Sequence, residues 1–208
     1  MQFIWKKGVK PLFSESEYDD KQFKDVQFAY ETLDSVKFYD CTFTNCEFSE
    51  TLFRDCKFSG CQFINCNLNL IKVVDSQFSQ VRFSECKLVG INWTEAIWPK
   101  ISIPGALAFE ECTLNHSTFI GLELQQCVIR KCMAKNVDFR EANFTKADLS
   151  STDFSESVFG ETNLTSADFS YSRNYQIDPS GNRITKATFM LPEAVSLLYC
   201  MDIQLKDE

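Results

Sequence analysis

Residues 41–68 read CTFTNCEFSETLFRDCKFSGCQFINCNL, and in this stretch a large apolar side chain returns at every fifth position. The positions are held in turn by Phe43, Phe48, Phe53, Phe58, Phe63 and Leu68. A period of five matches neither the α-helix, at about 3.6 residues, nor the β-strand, at about two. The stretch therefore predicts a backbone that turns every five residues and directs one large side chain inward at each turn.

The same period continues on both sides of this stretch. Every fifth residue from Phe23 to Trp93 is apolar, and the pattern resumes at Leu114 and runs to Phe169, shifted by one residue. Two positions before these centres lies a column of mostly small or β-branched residues, which includes every cysteine of the repeats. Four turns make a square coil of about twenty residues, and stacked coils pair at about 4.8 Å. The predicted core includes Phe43, Phe48, Phe63, Phe83, Phe144, Phe154, Cys46, Cys66 and Cys86.

Several five-residue units resemble the A(D/N)LXX pattern of the pentapeptide repeat family. They include Ala142-Asn143-Phe144, Ala147-Asp148-Leu149 and Ala167-Asp168-Phe169, while units such as Cys46-Glu47-Phe48 carry cysteine in place of alanine. The resemblance covers residues 21–170. It implies an all-β fold, a right-handed quadrilateral β-helix, to which the C-terminal sequence adds a short α-helix.

The pattern divides the chain into three segments. Residues 1–20 are expected to be an N-terminal lead-in or cap, residues 21–170 the β-helix, and residues 171–208 a turn and a dimerisation helix. A register break falls near residues 96–111, where Pro99, Pro104 and Gly105 favour a bulge. It is either an accommodated insertion or a kink that exposes Trp98 to a partner.

The C-terminal segment LPEAVSLLYCMDI, residues 191–203, has the apolar spacing of a helix. Such a helix would cap the open end of the β-helix, pair with a second copy, or do both. We expect both, because its apolar side chains exceed what a cap needs. The predicted dimer interface consists of Leu191, Val195, Leu198, Tyr199 and Met201.

The chemistry-bearing residues argue against catalysis and against bound metals or cofactors. The ten cysteines form no CxxC pair, and a single histidine cannot complete many zinc sites. His116 follows the centre Leu114 by two positions, so it is expected to face outward. Nucleotide-binding and zinc-protease motifs are absent from the sequence.

The charge and the hydropathy exclude two further classes of function. A net charge of −8 does not suit wrapping of a phosphate backbone, so no direct contact with nucleic acid is expected. No apolar run reaches the roughly 18 residues that span a bilayer, and the first residues lack the order of a secretory signal. The expected location is the cytoplasm.

Residues twenty positions apart are expected to lie above one another. Asn45 and Asn65 would form an amide stack, Asp55, Asp75 and Glu95 one acidic stack, and Glu141 and Glu161 a second. The charge indicates either an ordinary solvated surface or a partner-binding surface. The residues of the predicted acidic surface are Asp55, Asp75, Glu95, Glu141, Asp148, Asp153, Glu156, Glu161 and Asp168.

Within the family, the chain is most similar to members that act on DNA gyrase and topoisomerase IV, the albicidin-resistance and Qnr-type proteins. The similarity is carried by Gly90-Ile91-Asn92-Trp93, Trp98-Pro99 and the segment 191–198. It implies a homodimer joined through the C-terminal helices, which mimics DNA and protects the enzyme against a gyrase-targeting toxin or antibiotic, albicidin-like or quinolone. The alternative is a structural scaffold or interaction module with no topoisomerase partner.

Overall fold

The computed structural model describes residues 13–99, 104–201 and 203–206. Short strands alternate with single-residue corners, so that each edge of the coil is three or four residues long. The strands are β1 (Glu17–Asp19), β2 (Gln22–Lys24), β3 (Thr32–Asp34), β4 (Lys37–Tyr39), β5 (Thr42–Thr44), β6 (Leu52–Arg54), β7 (Lys57–Ser59), β8 (Gln62–Ile64), β9 (Gln77–Ser79), β10 (Val81–Ser84), β11 (Leu107–Glu110) and β12 (Val128–Arg130). Two 3₁₀ turns, Trp93–Glu95 and Glu193–Val195, and the helix α1 (Ser196–Tyr199) complete the elements.

All strand pairs are parallel, and the partners before the break are twenty residues apart. Phe23 pairs with Phe43 and Phe43 with Phe63, and the same step repeats on the neighbouring sheets. Isolated parallel bridges continue the ladders as far as Asp168 and Thr188. The predicted fold, a right-handed quadrilateral β-helix with a short C-terminal α-helix, is confirmed.

The β-helix has four faces, each a column of inward-pointing centres. The first face holds Tyr18, Phe38, Phe58 and Phe78, and later Phe144 and Leu164. The second face holds Phe23, Phe43, Phe63, Phe83, Phe109, Ile129, Leu149, Phe169 and Phe189. The third holds Phe28, Phe48, Leu68, Leu88, Leu114, Ala134 and Phe154. The fourth holds Leu33, Phe53, Val73, Trp93, Phe119, Phe139 and Phe159.

The corners lie two residues after a centre, and most have a left-handed backbone, although Glu95 belongs to a 3₁₀ turn instead. Asp25, Asn45 and Asn65 occupy one such corner column, with φ of 54°, 55° and 51°. Asn and Asp tolerate this conformation because their short polar side chains bond locally. The Nδ2 of Asn65 donates to the Oδ1 of Asn45 at 2.9 Å, and Asn45 donates to Asp25 at 3.1 Å. The predicted amide stack is therefore present and hydrogen-bonded.

The interior contains stacked aromatic rings beside a column of small side chains. The ring centroid of Phe63 lies 4.6 Å from that of Phe43 and 5.1 Å from that of Phe83. In the neighbouring column, the Cys66 thiol donates to the Phe43 carbonyl at 3.4 Å and accepts from the Cys46 N–H at 3.4 Å. All nine predicted core residues have at most 2% of their surface exposed.

The register break is a longer coil. Phe83 pairs with Phe109, so this coil has 26 residues instead of twenty. The Trp98 ring stacks 6.5 Å from Phe78, and its Nε1 donates to the Trp93 carbonyl at 2.9 Å. The side chain is half-buried. These contacts pack Trp98 against the core, and the role of the register break stays a prediction.

The coil does not stop where the five-residue pattern fails. Phe189 stacks on Phe169 with centroids 5.0 Å apart, and both Tyr175 and Ile177 are buried between these levels. The sequence analysis did not identify Tyr175 and Ile177 as core residues, because they are out of phase with the repeat. Leu197 of α1 packs against the core, which anchors the terminal helix to the end of the coil.

Candidate interaction surface

The two predicted acidic stacks lie on one corner of the β-helix. Asn92 pairs with Thr118 across the long coil, so Glu95 lies next to Gly121, three residues further along each segment. Thr118 in turn pairs with Asp138, so Gly121 lies next to Glu141. The sequence predicts two separate stacks, because coils of twenty residues throughout would not align them. We call this column, formed by Asp55, Asp75, Glu95, Glu141 and Glu161, the acidic corner.

All five carboxylates of the acidic corner are exposed to solvent. Within the described ranges, none of its five carboxylates takes part in an ion pair. Asp55 accepts from the Ser35 hydroxyl at 3.0 Å, and Glu95 accepts from Asn92 at 3.3 Å. Carboxylates one level apart repel by about 0.8 kcal/mol even in water. The column therefore concentrates negative charge over a length of about 24 Å at the ordinary strand spacing.

Gly121 is the gap in this column. Its φ is +67°, a left-handed value like those of most corners, and a Cβ added there would meet nothing within 4 Å. The position therefore has space for a side chain and already has the backbone conformation that Asp adopts at other corners.

The other predicted acidic residues lie elsewhere. Asp148 and Asp168 are half-buried on the second face, and Glu156 is exposed on the corner after the third face. Asp153 is on the third face with only 8% of its side chain exposed. This corrects the prediction of one surface made of all nine residues, because only the acidic corner brings its members together.

Asp153 belongs to a charge network inside the third face. Its Oδ2 lies 3.8 Å from the Lys135 Nζ and 3.4 Å from an Arg173 nitrogen, and its Oδ1 accepts from Asn174 at 3.0 Å. Burial raises the pKa of the carboxyl, but hydrogen bonds from Asn174 and Ser155 and the charge of Lys135 outweigh it and lower the pKa to about 2. The carboxylate stabilises the fold and is poorly placed to contact a partner.

A shallow polar groove runs beside the C-terminal part of the acidic corner. Its volume is about 740 Å³, and Glu141 and Glu161 form one side of it. The first face supplies the floor with Asn143 and Asn163, and Arg183 lies at its end. The groove gives a partner access to these two carboxylates from the side.

The predicted dimer residues lie at the C-terminal end of the rod. Leu191 is 78% exposed, Tyr199 63%, Met201 47% and Leu198 39%, whereas Val195 is half-buried. Leu191 precedes the helical segment and the others lie on or just after it. These side chains gather exposed apolar surface at this end of the rod.

The residues that bear on catalysis are dispersed. His116 is exposed at a corner, where its Nδ1 lies 2.9 Å from the Asn136 Nδ2. Among the described residues, no three His, Cys, Asp or Glu side chains are grouped to hold a metal ion. The same part of the chain contains no helix of the length and apolarity that a membrane span requires.

Comparison with solved structures identifies one fold. QnrB1, a plasmid-mediated fluoroquinolone resistance protein, superposes with a TM-score of 0.62 at 18% identity in a trypsin-treated form, covering 88% of this chain and 99% of that one. A second trypsin-treated form of QnrB1 superposes with a TM-score of 0.62 at 18% identity, covering 89% of this chain and 100% of that one. Full-length QnrB1 superposes with a TM-score of 0.53 at 18% identity, covering 90% of this chain and 100% of that one. At this identity the likeness shows a common fold.

Comparison of the sequence itself gives a family. No curated protein matches the chain significantly. A family described as pentapeptide repeat region matches residues 36–107, and one described as pentapeptide repeats in eight copies matches residues 109–145 and 142–173. The first match runs through most of the long coil, the second begins after it, and together they cover most of the β-helix. The chain belongs to the pentapeptide repeat family.

Proposed function

We propose that this chain is a DNA-mimicking protein that binds DNA gyrase or topoisomerase IV and protects the enzyme against a gyrase-targeting toxin or antibiotic, albicidin-like or quinolone. The observation that carries the proposal is the acidic corner, a column of five carboxylates that has no ion pair among the described residues and is interrupted only at Gly121. The fold shared with QnrB1, which is named as a fluoroquinolone resistance protein, supports it. The protein acts by binding, without catalysis or a cofactor, in the cytoplasm.

The physical basis is charge complementarity. B-form DNA presents phosphates about every 3.4 Å along each strand, and enzymes that hold DNA line their grooves with lysine and arginine. A row of carboxylates meets such a groove with the same sign of charge as DNA. Attraction of this kind steers association and weakens as salt is added.

The proposal includes a homodimer joined through the predicted interface at the C-terminal end. A twofold axis there would cover the exposed apolar side chains of both copies. It would also place two acidic corners on one continuous rod, whose net charge is twice −8. Replacing Leu198 by Asp should yield monomers in sedimentation velocity, while the circular dichroism of the β-helix is retained. A variant that sediments like the dimeric wild type would refute this interface.

The test of the proposal is a gyrase supercoiling assay with purified protein, with and without albicidin and ciprofloxacin. We expect the wild type to alter supercoiling or its inhibition, and Glu141→Gln with Glu161→Gln to weaken that effect severalfold. Asp20→Asn with Asp40→Asn is the matched control, because it removes the same charge from a different corner. Equal losses in both variants would show that net charge, not the acidic corner, is responsible.

A gain-of-function variant complements this test. Gly121→Asp fills the gap in the acidic corner where space and backbone conformation already exist. We expect it to strengthen the effect on gyrase at low salt and to lose that advantage at high salt. If the wild type has no effect on gyrase or topoisomerase IV in any of these assays, the scaffold interpretation replaces the proposal.

A further inference from the structure

The main-chain hydrogen bonds of the third face keep one interval. Away from the long coil, the N–H of each centre donates to the main-chain carbonyl nineteen residues further along, which belongs to the residue just before the next centre. Ala134 donates in this way to Asp153 at 2.8 Å, and Phe154 donates to Arg173 at 3.0 Å. Continued by one step, the interval predicts that the N–H of Asn174 donates to residue 193.

Residue 193 accepts this bond, but with its side chain. The Asn174 N–H donates to the Oε1 of Glu193. The main chain of Glu193 is outside the coil, in the 3₁₀ turn Glu193–Val195, where its carbonyl accepts from the Ser196 N–H. A carboxylate oxygen therefore takes the place that the carbonyl of a further coil would hold. A hydrogen bond from an N–H to a carboxylate is stronger than one to a neutral carbonyl.

The segment that carries Glu193 lies across the end of the coil, and we call residues 190–199 the strap. Residues 193–197 are half-buried, and Leu197 packs against the core. The attachment point on the coil is itself held, because the Nδ2 of Asn174 donates to the Oδ1 of Asp153 at 3.0 Å. Glu193 therefore joins the strap both to the ladder of the third face and to the charge network around Asp153.

We propose that the strap closes the C-terminal end of the β-helix and that Glu193 is the positioning residue that fastens it. With its carboxylate on the Asn174 N–H, the strap follows the register of the third face and keeps Leu197 on the core. Terminal segments with few buried contacts open locally at little cost in free energy. One bond of this strength therefore decides between a closed strap and one that lifts away from the coil.

The closure bears on the dimer, a consequence that rests on the proposed function. The strap carries most of the predicted interface, namely Leu191, Val195, Leu198 and Tyr199. A closed strap holds these side chains in one arrangement at the end of the rod, whereas an open strap does not. Fastening by Glu193 should therefore favour the dimer.

The test is hydrogen exchange of the full chain, followed for single amides by nuclear magnetic resonance. Glu193→Ala should speed the exchange of the Asn174 amide about tenfold, the loss of one hydrogen bond to a charged group. Glu193→Gln keeps an oxygen that accepts, so it should retain most of the protection. Glu156→Ala is the matched control and should leave this amide unchanged, because it removes the same charge from an exposed corner of the third face.

Two kinds of result would overturn the proposal. One is an Asn174 amide that is unprotected in the wild type or exchanges no faster in Glu193→Ala. The other is an equal loss of protection in Glu193→Ala and in Glu193→Gln or Glu156→Ala, because negative charge, and not the accepting oxygen, would then be responsible.

Sedimentation velocity tests the consequence for the dimer separately. Glu193→Ala should weaken dimerisation severalfold, and Glu193→Gln should dimerise as the wild type does. Full dimerisation of Glu193→Ala with a rapidly exchanging Asn174 amide would refute the link between the strap and the interface. A wild type that sediments as a monomer would refute the dimer of the proposed function, and the exchange of the Asn174 amide would still decide whether Glu193 fastens the strap.

Discussion

The coils before and after the long coil reach the same geometry with different chemistry. Before it, paired strands dominate and the small interior column carries cysteines, with Cys66 donating to the Phe43 carbonyl at 3.4 Å. After β12, the described coils are joined by single bridges, and the column holds alanines and hydroxyl side chains, with Thr152 donating to the Ile129 carbonyl at 2.8 Å. The fold therefore requires a small or β-branched side chain at most of these positions, such as the buried Ala142 and Ala147, and a polar member also bonds a carbonyl of the coil below.

The two regions also differ in how the large column is filled. Phe63 lies in an unbroken stack of rings on the second face, whereas the same face holds Ile129 and Leu149 further along. On the third face a fully buried alanine, Ala134, occupies a centre. The first region therefore has the longer unbroken stack of rings on the second face, and the second region has more aliphatic and small centres.

The largest effect is expected for Phe63→Ala. Removing a ring that is stacked on both sides leaves a cavity and should lower the free energy of unfolding by about 3–5 kcal/mol. Leu149→Ala, on the same face of the second region, should cost less, about 2–3 kcal/mol. Urea denaturation monitored by circular dichroism measures both. A cost for Leu149→Ala that equals or exceeds that of Phe63→Ala would remove the distinction between the regions.

The small column gives the next largest effects. Cys66→Leu should cost about 1–3 kcal/mol through overpacking. Thr152→Val keeps the volume but removes the hydroxyl that accepts from the Cys132 N–H at 3.1 Å, and leaving that group unpaired costs about 1–3 kcal/mol.

Cys66→Ala is the comparison for both variants. Its thiol makes only weak hydrogen bonds, so we expect a smaller cost than for Thr152→Val in the same urea titration. Equal costs for Cys66→Ala and Thr152→Val would show that thiols and hydroxyls are interchangeable in this column.

Acid should loosen the second region first. The folded pKa of Asp153, about 2, is below that of an unfolded aspartate, near 3.9, so the carboxylate stabilises the fold above about pH 4. This contribution is lost as the pH falls toward 2. Hydrogen exchange at pH 5 and at pH 2.5 should show amides of the third face near residues 153–174 losing protection. Asp153→Asn should remove the pH dependence of that protection.

The smallest effect on stability is expected from reductant, whereas the reactivity of the interior cysteines should differ sharply from that of Cys200. Burial raises the pKa of Cys56 to about 11 and that of Cys61 to about 12, so neither forms thiolate at neutral pH. Cys200 is half-buried outside the coil. Labelling of the native protein with a maleimide should be fast at Cys200 alone, and reductant should leave the melting temperature unchanged. Rapid labelling of several thiols would contradict the interior column.

The period of five was sufficient to predict the column positions, because Phe43 and Cys46 each recur in a fixed environment. It was not sufficient across the long coil, since the number of inserted residues decides which corners align. Glu141 therefore could not be placed above Asp75 from the sequence. Tyr175 could not be predicted as a core residue, because the five-residue pattern places Asn174 at the centre. In the structure the backbone at Asn174 turns with a φ of 59°, and Tyr175 takes the core position instead of Asn174.

The twenty-residue step between paired residues has a consequence for how the molecule is made. Each coil contacts only the coils directly below and above it, so the rod is a one-dimensional array in which stability is a sum of nearest-neighbour terms. During synthesis, a newly emerged segment of about one coil already has its complete template in the chain before it. The rod can therefore form coil by coil from its N-terminal end. Among the described coils, the 26-residue coil needs a longer segment of chain to emerge before it can pair with the coil before it.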